Sequence, residues 1–239
     1  MRVFFPSKLS SEQIDKLNDE GIVAIAIPLI KTVPLPFSVE EIENFQPDFV
    51  VFSSKNGVKH FLSKIPIDYL KTARVIAVGK STAKLLKSEG IEPLVPQTFS
   101  GEGLVELVKT MEIKGKKFLL IKPKVARKVF SEFLKQTGNE VKEIIAYETI
   151  VNEEVKEDLI REIEKGIDIF TFTSPSTFKS FLKLSEDKGE KALSRSKIIP
   201  IGHVTANAIE KANFKVWKIP EEYTLNGIIN TIIEYGGKK

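Results

Sequence analysis

The sequence contains an internal duplication whose two copies occur in permuted order. The segment DFVVFSSKNGVKHFL from Asp48 matches DIFTFTSPSTFKSFL from Asp168 at an offset of 120 residues (168 − 48). The segments IAVGKSTAKLLKSEGIEP and IPIGHVTANAIEKANFKV match at an offset of 123 (202 − 79), and the chain from Val3 matches the chain from Leu120 at an offset of 117 (123 − 6). A period near 120 residues is too long for a solenoid repeat, so it predicts two similar domains.

The permuted order predicts that one of these domains is discontinuous. One complete set of units occupies residues 37–146, whereas the other set needs residues 1–30 together with residues 155–239. Residues 31–36 and 147–154 would then cross between the domains, and their proline and β-branched residues favour extended backbone. We therefore expect two five-stranded domains joined by a two-stranded linker.

Short apolar runs alternate with amphipathic segments along the whole chain, which is typical of α/β proteins with parallel sheets. The predicted strands are Val3–Phe5, Ile22–Ile27, Phe49–Phe52, Val75–Val78, Phe118–Ile121, Val141–Ala146, Ile169–Phe172, Ile198–Ile201 and Val216–Ile219, with a short one near Ile91–Val95. The predicted helices include Glu12–Asp19, Ser81–Ser88, Gly103–Met111, Arg127–Thr137 and Thr205–Ala212.

Composition excludes several functional classes. The chain has 239 residues and no cysteine, which excludes disulfides, thiolate catalysis and cysteine metal sites. The longest apolar run, Ile22–Ile30, has nine residues, whereas a membrane-spanning helix needs about 20. The N-terminus lacks signal-peptide features. A net charge of +4 is a mild excess, compatible with a solvated surface or with a cleft for a polyanion. We expect a cytoplasmic protein without membrane or nucleic-acid partners.

Four loops that follow predicted strands carry glycine or small hydroxyl residues. In parallel α/β sheets such loops lie at the carboxyl ends of the strands, where ligands bind, and helix N-termini there favour carboxylates. Each hydroxyl residue has the alternative role of a helix cap. The candidate binding residues are Ser53, Ser54, Asn56, Gly79, Ser81, Thr82, Ser174, Pro175, Ser176, Gly202, His203 and Thr205.

Two phosphate-binding motifs are only partly matched. The sequence GKST at Gly79 resembles the end of a P-loop, but Arg74 stands where that motif requires its first glycine. Gly101 and Gly103 begin a dinucleotide fingerprint, but Glu106 replaces its third glycine. The only histidines are His60 and His203, so we expect no histidine metal site.

Seven segments together resemble the uroporphyrinogen-III synthase family along the whole chain. They are DFVVFSSKNGV, ARVIAVGKSTAKLLKSEGI, GEGLVELV, the AYET linker, DIFTFTSPSTF, KIIPIGHVTANAIEKANF and YTLNGIINTI. The resemblance implies two flavodoxin-like α/β domains joined by a two-stranded ladder, with a substrate cleft between them. It also implies the conversion of hydroxymethylbilane, a linear tetrapyrrole with eight carboxylates, into a ring whose last pyrrole is inverted, without a metal or organic cofactor.

The resemblance further implies roles for two residues. Tyr147, in the linker, would face the cleft and donate a hydrogen bond to the departing hydroxyl; its alternative role is packing on a domain edge. Lys197 matches a basic position of the family, and its alternative is a surface lysine. Val204 departs from the family, in which a proline or hydroxyl residue commonly follows the second-domain turn, and this weakens the expectation of a site there.

The remaining expectations concern the partners of the protein and two rival functions. We expect a monomer that makes a transient contact with the preceding enzyme of its pathway. A two-domain ligand-binding protein of the periplasmic type would also have duplicated α/β domains, but the N-terminus lacks a signal peptide. A third reading is an α/β scaffold without activity, which the hydroxyl residues in both copies do not favour.

Overall fold

The computed structural model of the protein describes residues 1–236. Its strands are β1 (Arg2–Phe5), β2 (Val23–Ala26), β3 (Ile30–Pro34), β4 (Phe49–Phe52), β5 (Arg74–Ala77), β6 (Lys117–Pro123), β7 (Glu140–Val151), β8 (Ile169–Phe172) and β9 (Lys197–Pro200). Its helices are α1 (Ser11–Asn18), α2 (Val39–Phe45), α3 (Lys55–Leu62), α4 (Lys80–Ser88), α5 (Gly101–Thr110), α6 (Val129–Gln136), α7 (Lys156–Glu164), α8 (Pro175–Leu193), α9 (His203–Glu210) and α10 (Leu225–Gly236). Helix α8 is broken at Glu186, whose φ of 51° and ψ of −146° are not helical.

The chain divides into two compact units. The first unit comprises Met1–Lys31 and the chain from Ile150 onward, and the second unit comprises Thr32–Thr149. The first unit contains a four-stranded sheet in the order β2-β1-β8-β9. Strand β1 pairs in parallel with β8, so that Val3 lies opposite Ile169, which joins the N-terminal residues to the C-terminal half of the sequence.

The two central strands of the first unit, β1 and β8, are largely apolar because both faces of the sheet are covered there. Phe4 and Phe170 belong to a cluster on one face, whereas Val3 and Ile169 belong to a cluster with α10 on the other. All four residues of β8 are buried. Continuous apolar runs of this kind are typical of parallel strands buried between two helical layers.

The second unit contains a five-stranded sheet in the order β3-β7-β6-β4-β5. Strands β5, β4, β6 and β7 are parallel to their neighbours in this order. Strand β7 has 12 residues and continues through Tyr147, which was expected in a separate linker. The chain beside it is also extended, since the Leu35 N–H donates to the Ala146 carbonyl at 3.0 Å.

Neither predicted fifth parallel strand forms as a regular strand. In the second unit, the segment near Ile91–Val95 is reduced to one parallel bridge between Leu94 and Ile76. In the first unit, Val216–Ile219 is not a strand, although the Trp217 N–H donates to the Ile198 carbonyl at 2.9 Å. Proline lacks the N–H that a ladder needs, and proline occurs at positions 93, 96 and 220. The expectation of two complete five-stranded parallel domains was therefore wrong in this detail.

Every helix in residues 1–236 is too short or too polar to traverse a lipid bilayer.

Candidate functional site

The carboxyl edge of the second sheet brings several of the expected residues together. Strands β5, β4 and β6 are adjacent and parallel, so the loops after them lie at one edge. The loop after β4 holds Ser53 and Ser54 and leads into α3, where Asn56 is half-buried; the loop after β5 holds Gly79 and leads into α4, where Ser81 is exposed.

The two serines after β4 have different local roles. Ser54 caps α3, since its Oγ accepts the Gly57 N–H at 3.2 Å. Ser53 is exposed, and its hydroxyl donates to the Ile121 carbonyl at 3.4 Å, a long hydrogen bond. The capping role therefore applies to Ser54, whereas Ser53 keeps an accessible hydroxyl.

The carboxyl edge of the first sheet repeats this arrangement. Ser174 caps α8 by accepting the Thr177 N–H at 3.1 Å, and the Thr177 hydroxyl side chain accepts the Ser174 N–H in return. Pro175 is the first residue of α8, and the exposed Ser176 bonds to the Ser174 hydroxyl at 2.8 Å. The loop after the neighbouring strand β9 leads through Gly202 into α9, where His203 is exposed.

Helices α4 and α9 begin without a side-chain cap. Gly79 and Gly202 occupy their N-cap positions, and no side chain hydrogen-bonds to either first turn. The first N–H groups of a helix have no intrahelical partner and carry a partial positive charge, so an anion is favoured at such an end. Of the four turns, these two leave the most N–H groups free, because in the other two a serine Oγ already accepts one N–H group of the first helical turn.

Three expected binding residues do not lie at the surface of these edges. Thr82 and Thr205 are each 2% exposed, so their side chains pack beneath the turns. Lys197 is the first residue of β9, which places it at the amino edge of the sheet, roughly 16 Å along the strand from Gly202. Its Nζ lies 4.0 Å from the centre of the Trp217 ring. The expectation that these three side chains contact the same ligand as the turns is corrected accordingly.

Tyr147 is buried in the second unit, where its ring is 4% exposed. Its Oη lies 2.6 Å from Ser54 Oγ, and its ring stacks on His60 with 5.4 Å between centroids and 23° between planes. The His60 Nε2 in turn lies 3.0 Å from Thr32 Oγ1. Burial, and then the charge of Lys59, lowers the pKa of His60, which favours the neutral imidazole. The phenol is thus held by a hydroxyl and a neutral ring.

Two aromatic residues near the uncapped turns were not recognised from the sequence. Tyr223 is 57% exposed and packs on the Gly202 turn, where an added Cβ would lie 3.2 Å from its ring. Phe99 is 49% exposed, with the Lys80 Nζ 5.9 Å from its ring centre. The segments FSGEG and YTLNG match at an offset of 124 (223 − 99), so the internal repeat of the sequence also relates Phe99 to Tyr223.

A half-buried ion pair lies between β6 and β7. The Lys122 Nζ is 2.5 Å from Glu143 Oε2, with side chains 15% and 29% exposed. Both residues line a cavity of about 170 Å³ in the second unit, together with apolar residues that include Leu104 and Phe130. Larger open grooves, of about 940 Å³ beside Lys197 and 960 Å³ beside Asp48, lie at the amino edges of the two sheets, opposite the turns. Within each unit we take the carboxyl edge of the sheet as the candidate site, because an uncapped helix begins there and, in the second unit, the phenol lies at the same edge.

Within residues 1–236, no group of three or more histidine, aspartate or glutamate side chains is arranged to hold a metal ion.

Comparison with known proteins identifies the family to which the chain belongs. Residues 11–230 match the family model described as uroporphyrinogen-III synthase HemD. A uroporphyrinogen-III synthase from Chlorobaculum parvum is 31% identical over 230 residues, which cover 91% of each chain. The solved uroporphyrinogen-III synthetase from Helicobacter pylori 26695 has a TM-score of 0.70 at 18% identity over 98% of each chain. A mutant uroporphyrinogen III synthase from the extremely thermophilic bacterium Thermus thermophilus has a TM-score of 0.59 at 18% identity over 98% of this chain and 97% of that one. The structural likeness shows the shared fold, and the match over residues 11–230 shows that the chain belongs to the uroporphyrinogen-III synthase family.

Proposed function

We propose that this chain cyclises hydroxymethylbilane to uroporphyrinogen III, with inversion of the last pyrrole ring. The observation that carries the proposal is the family match over residues 11–230. The two-unit α/β fold, with its buried phenol and two uncapped helix ends, agrees with it. A ligand-binding protein of the periplasmic type is not favoured, because the relatives are synthases.

The proposed reaction requires a proton donor for the departing hydroxyl rather than a cofactor. Departure of the terminal hydroxyl as water leaves an azafulvene cation, which the lone pair of the pyrrole nitrogen stabilises. Attack by the substituted α-carbon of ring D gives a spirocyclic pyrrolenine, and fragmentation and recombination join the chain through the free α-carbon of that ring. The proton lost from this carbon balances the proton taken by the departing hydroxyl. We propose that no metal or organic cofactor takes part.

Tyr147 is the residue that we propose to supply the proton. A general acid must lie within hydrogen-bond reach of the departing group and typically contributes 10²–10⁴-fold. The phenol already bonds to Ser54 Oγ at 2.6 Å, which fixes its orientation. Because the pyrrole makes the hydroxyl a good leaving group, we expect a contribution at or below the lower end of that range.

We propose that the carboxyl-edge turns of each unit bind carboxylates of the substrate. The free N–H groups after Gly79 and Gly202 suit the negative charge. The exposed hydroxyls of Ser53, Ser81 and Ser176 supply further donors. The exposed rings of Phe99 and Tyr223 offer apolar contacts for pyrroles beside these donors. We further propose a cytoplasmic monomer that makes a transient contact with the preceding pathway enzyme.

The test is an isomer analysis of the product. The purified chain is incubated with hydroxymethylbilane, and the porphyrinogens are oxidised and separated into types I and III. The expected product is type III, formed faster than spontaneous closure. A binding protein or an inactive scaffold would leave only the spontaneous type I product, and that result would overturn the proposal.

A further inference from the structure

The phenol of Tyr147 is part of a hydrogen-bond chain that begins at the N-terminus of α3. The Gly57 N–H, in the first turn of the helix, donates to Ser54 Oγ at 3.2 Å, and Ser54 Oγ lies 2.6 Å from Tyr147 Oη. All three residues belong to the second unit. The 2.6 Å separation lies within the range of a hydrogen bond between two hydroxyls, which is about 2.5–3.0 Å.

Either hydroxyl can donate across the contact between Ser54 and Tyr147, and the N-terminus of α3 favours donation from Ser54. A serine hydroxyl has one proton and two lone pairs, and the Gly57 N–H already occupies one lone pair of Ser54. The positive end of the α3 dipole draws electron density from the same oxygen, which makes the Ser54 O–H a better donor. Donation from Ser54 to the phenol oxygen leaves the proton of Tyr147 free for another acceptor.

From this geometry we infer that Ser54 is a positioning residue for the reaction, which donates to the Tyr147 oxygen and leaves the phenol proton free for the departing hydroxyl of the substrate. The inference rests on the proposed function. When the Tyr147 O–H bond breaks, its proton joins the departing hydroxyl to form water, and the C–O electron pair leaves with that oxygen. The negative charge left on the phenol oxygen is stabilised by the Ser54 O–H, since a hydrogen bond to the charged form favours that form. The proton released at ring closure restores the phenol.

The surroundings of the ring fit this role. His60 covers one face of Tyr147, and its own Nε2 is bonded to Thr32 Oγ1 at 3.0 Å, so that the ring has little freedom to turn. Burial lowers the pKa of His60, and this favours the neutral imidazole, which does not compete with the phenol as a cation would. The counterpart of Ser54 in the first unit, Ser174, bonds to Ser176 and Thr177 instead.

The experiment compares Ser54→Ala with Ser54→Thr and with a matched cap variant. Ser38 caps α2 in the same unit by accepting the Glu41 N–H at 3.1 Å, and it is exposed. Ser38→Ala therefore removes a cap alone and should keep wild-type kcat. Ser54→Ala should lower kcat by about tenfold to a hundredfold, as expected for a lost hydrogen bond to a developing charge, with KM little changed. Ser54→Thr keeps the hydroxyl and should restore most of kcat.

A double-mutant comparison separates positioning from simple support of the fold. In a Tyr147→Phe background, Ser54→Ala should cause no additional loss of kcat, since the two residues act as one unit. An undiminished Ser54→Ala loss in the Tyr147→Phe background, or a Ser54→Ala kcat equal to that of Ser38→Ala, would overturn the inference. A wild-type chain that forms only the type I isomer would instead overturn the proposed function.

Discussion

The substitution Gly103→Ala is expected to destabilise the second unit, although alanine is the better helix former. Gly103 lies in the first turn of α5, and a Cβ there would lie 1.9 Å from the Thr98 carbonyl oxygen. Because Cβ contacts under 3.0 Å essentially never occur, the helix or the loop must move by at least 1.1 Å (3.0 − 1.9). That movement disturbs two hydrogen bonds: the Ser100 N–H to Thr98 O at 2.9 Å, and the Gly103 N–H to Ser100 Oγ at 3.1 Å.

The size of the effect follows from these opposing contributions. Overpacking costs roughly 1–3 kcal/mol and loss of the Ser100 cap about 1 kcal/mol. The better helix propensity of alanine returns at most about 1 kcal/mol. We therefore expect Gly103→Ala to lower the free energy of unfolding by about 1–3 kcal/mol. Gly101→Ala is the matched control in the same helix, because its Cβ would meet only the Val129 Cβ, at 3.7 Å.

The assay is urea unfolding followed by far-UV circular dichroism. Gly103→Ala should lower the midpoint at an unchanged m-value, whereas Gly101→Ala should leave it unchanged or raise it. Equal midpoints for the two variants would refute the argument from the Thr98 contact. The duplicate position gives a second test, because a Cβ at Gly227 would lie 2.0 Å from the Glu222 oxygen. The fluorescence of Trp217, the only tryptophan, reports on that unit.

Three further predictions concern chemistry, pH and binding. Tyr147→Phe should slow turnover by at most about 100-fold and still give type III product in the isomer assay; wild-type turnover would exclude the acid role, and mainly type I product would assign Tyr147 to substrate folding. Burial acts to raise the pKa of Glu143, but the hydrogen bond from Lys122 and the positive charges of Lys122 and Lys135 act against it, and this pKa lies below its ordinary value of 4.5. The stabilisation that the ionised Glu143 provides is therefore present above pH 4.5 and lost as pH falls through the folded pKa. In urea titrations, Glu143→Gln should have a lower free energy of unfolding than the wild type at about pH 7, and this deficit should shrink by about pH 3. A deficit independent of pH would contradict the argument. Gly202→Ala should displace the Tyr223 ring, 3.2 Å from the added Cβ, and raise KM more than it lowers kcat in steady-state assays, whereas an unchanged KM would remove this turn from the binding surface.

The sequence predicted the parallel sheets and most of their strands because burial on both faces leaves a strong apolar signal. Phe49–Phe52 and Ile169–Phe172 were predicted with the bounds that the structure has. Val216–Ile219 is also apolar at three of its four positions, but it lies next to Pro220, and apolar character does not report how many ladder hydrogen bonds an edge segment makes. Alternation of apolar runs therefore predicts the interior of a sheet better than its edges.

The candidate site was harder to predict because its residues are defined by the edge of the sheet that they occupy and by how deeply their side chains are buried. A strand position tells which edge of the sheet a residue occupies, and Lys197 is the first residue of β9, whose opposite end leads to the Gly202 turn. The repeat made Thr82 and Thr205 equivalent but did not tell whether they face solvent, and both are 2% exposed. The contact between Tyr147 and Ser54 joins residues 93 positions apart, and no local pattern carries it.

The two units share a duplicated fold but not a duplicated chemistry. At the offset of 117 that relates the N-terminal segment to its copy, Tyr147 corresponds to Ile30 (147 − 117), which has no hydroxyl. Ser174 matches Ser54 at an offset of 120, yet without a phenol beside it its hydroxyl bonds to Ser176 at 2.8 Å. Proton transfer is therefore expected in the second unit alone, whereas carboxylate binding at an uncapped helix is expected in both. Substitutions in the Gly202 turn should then act on KM and substitutions around Tyr147 on kcat, and a first-unit variant that lowered kcat at unchanged KM would contradict this division.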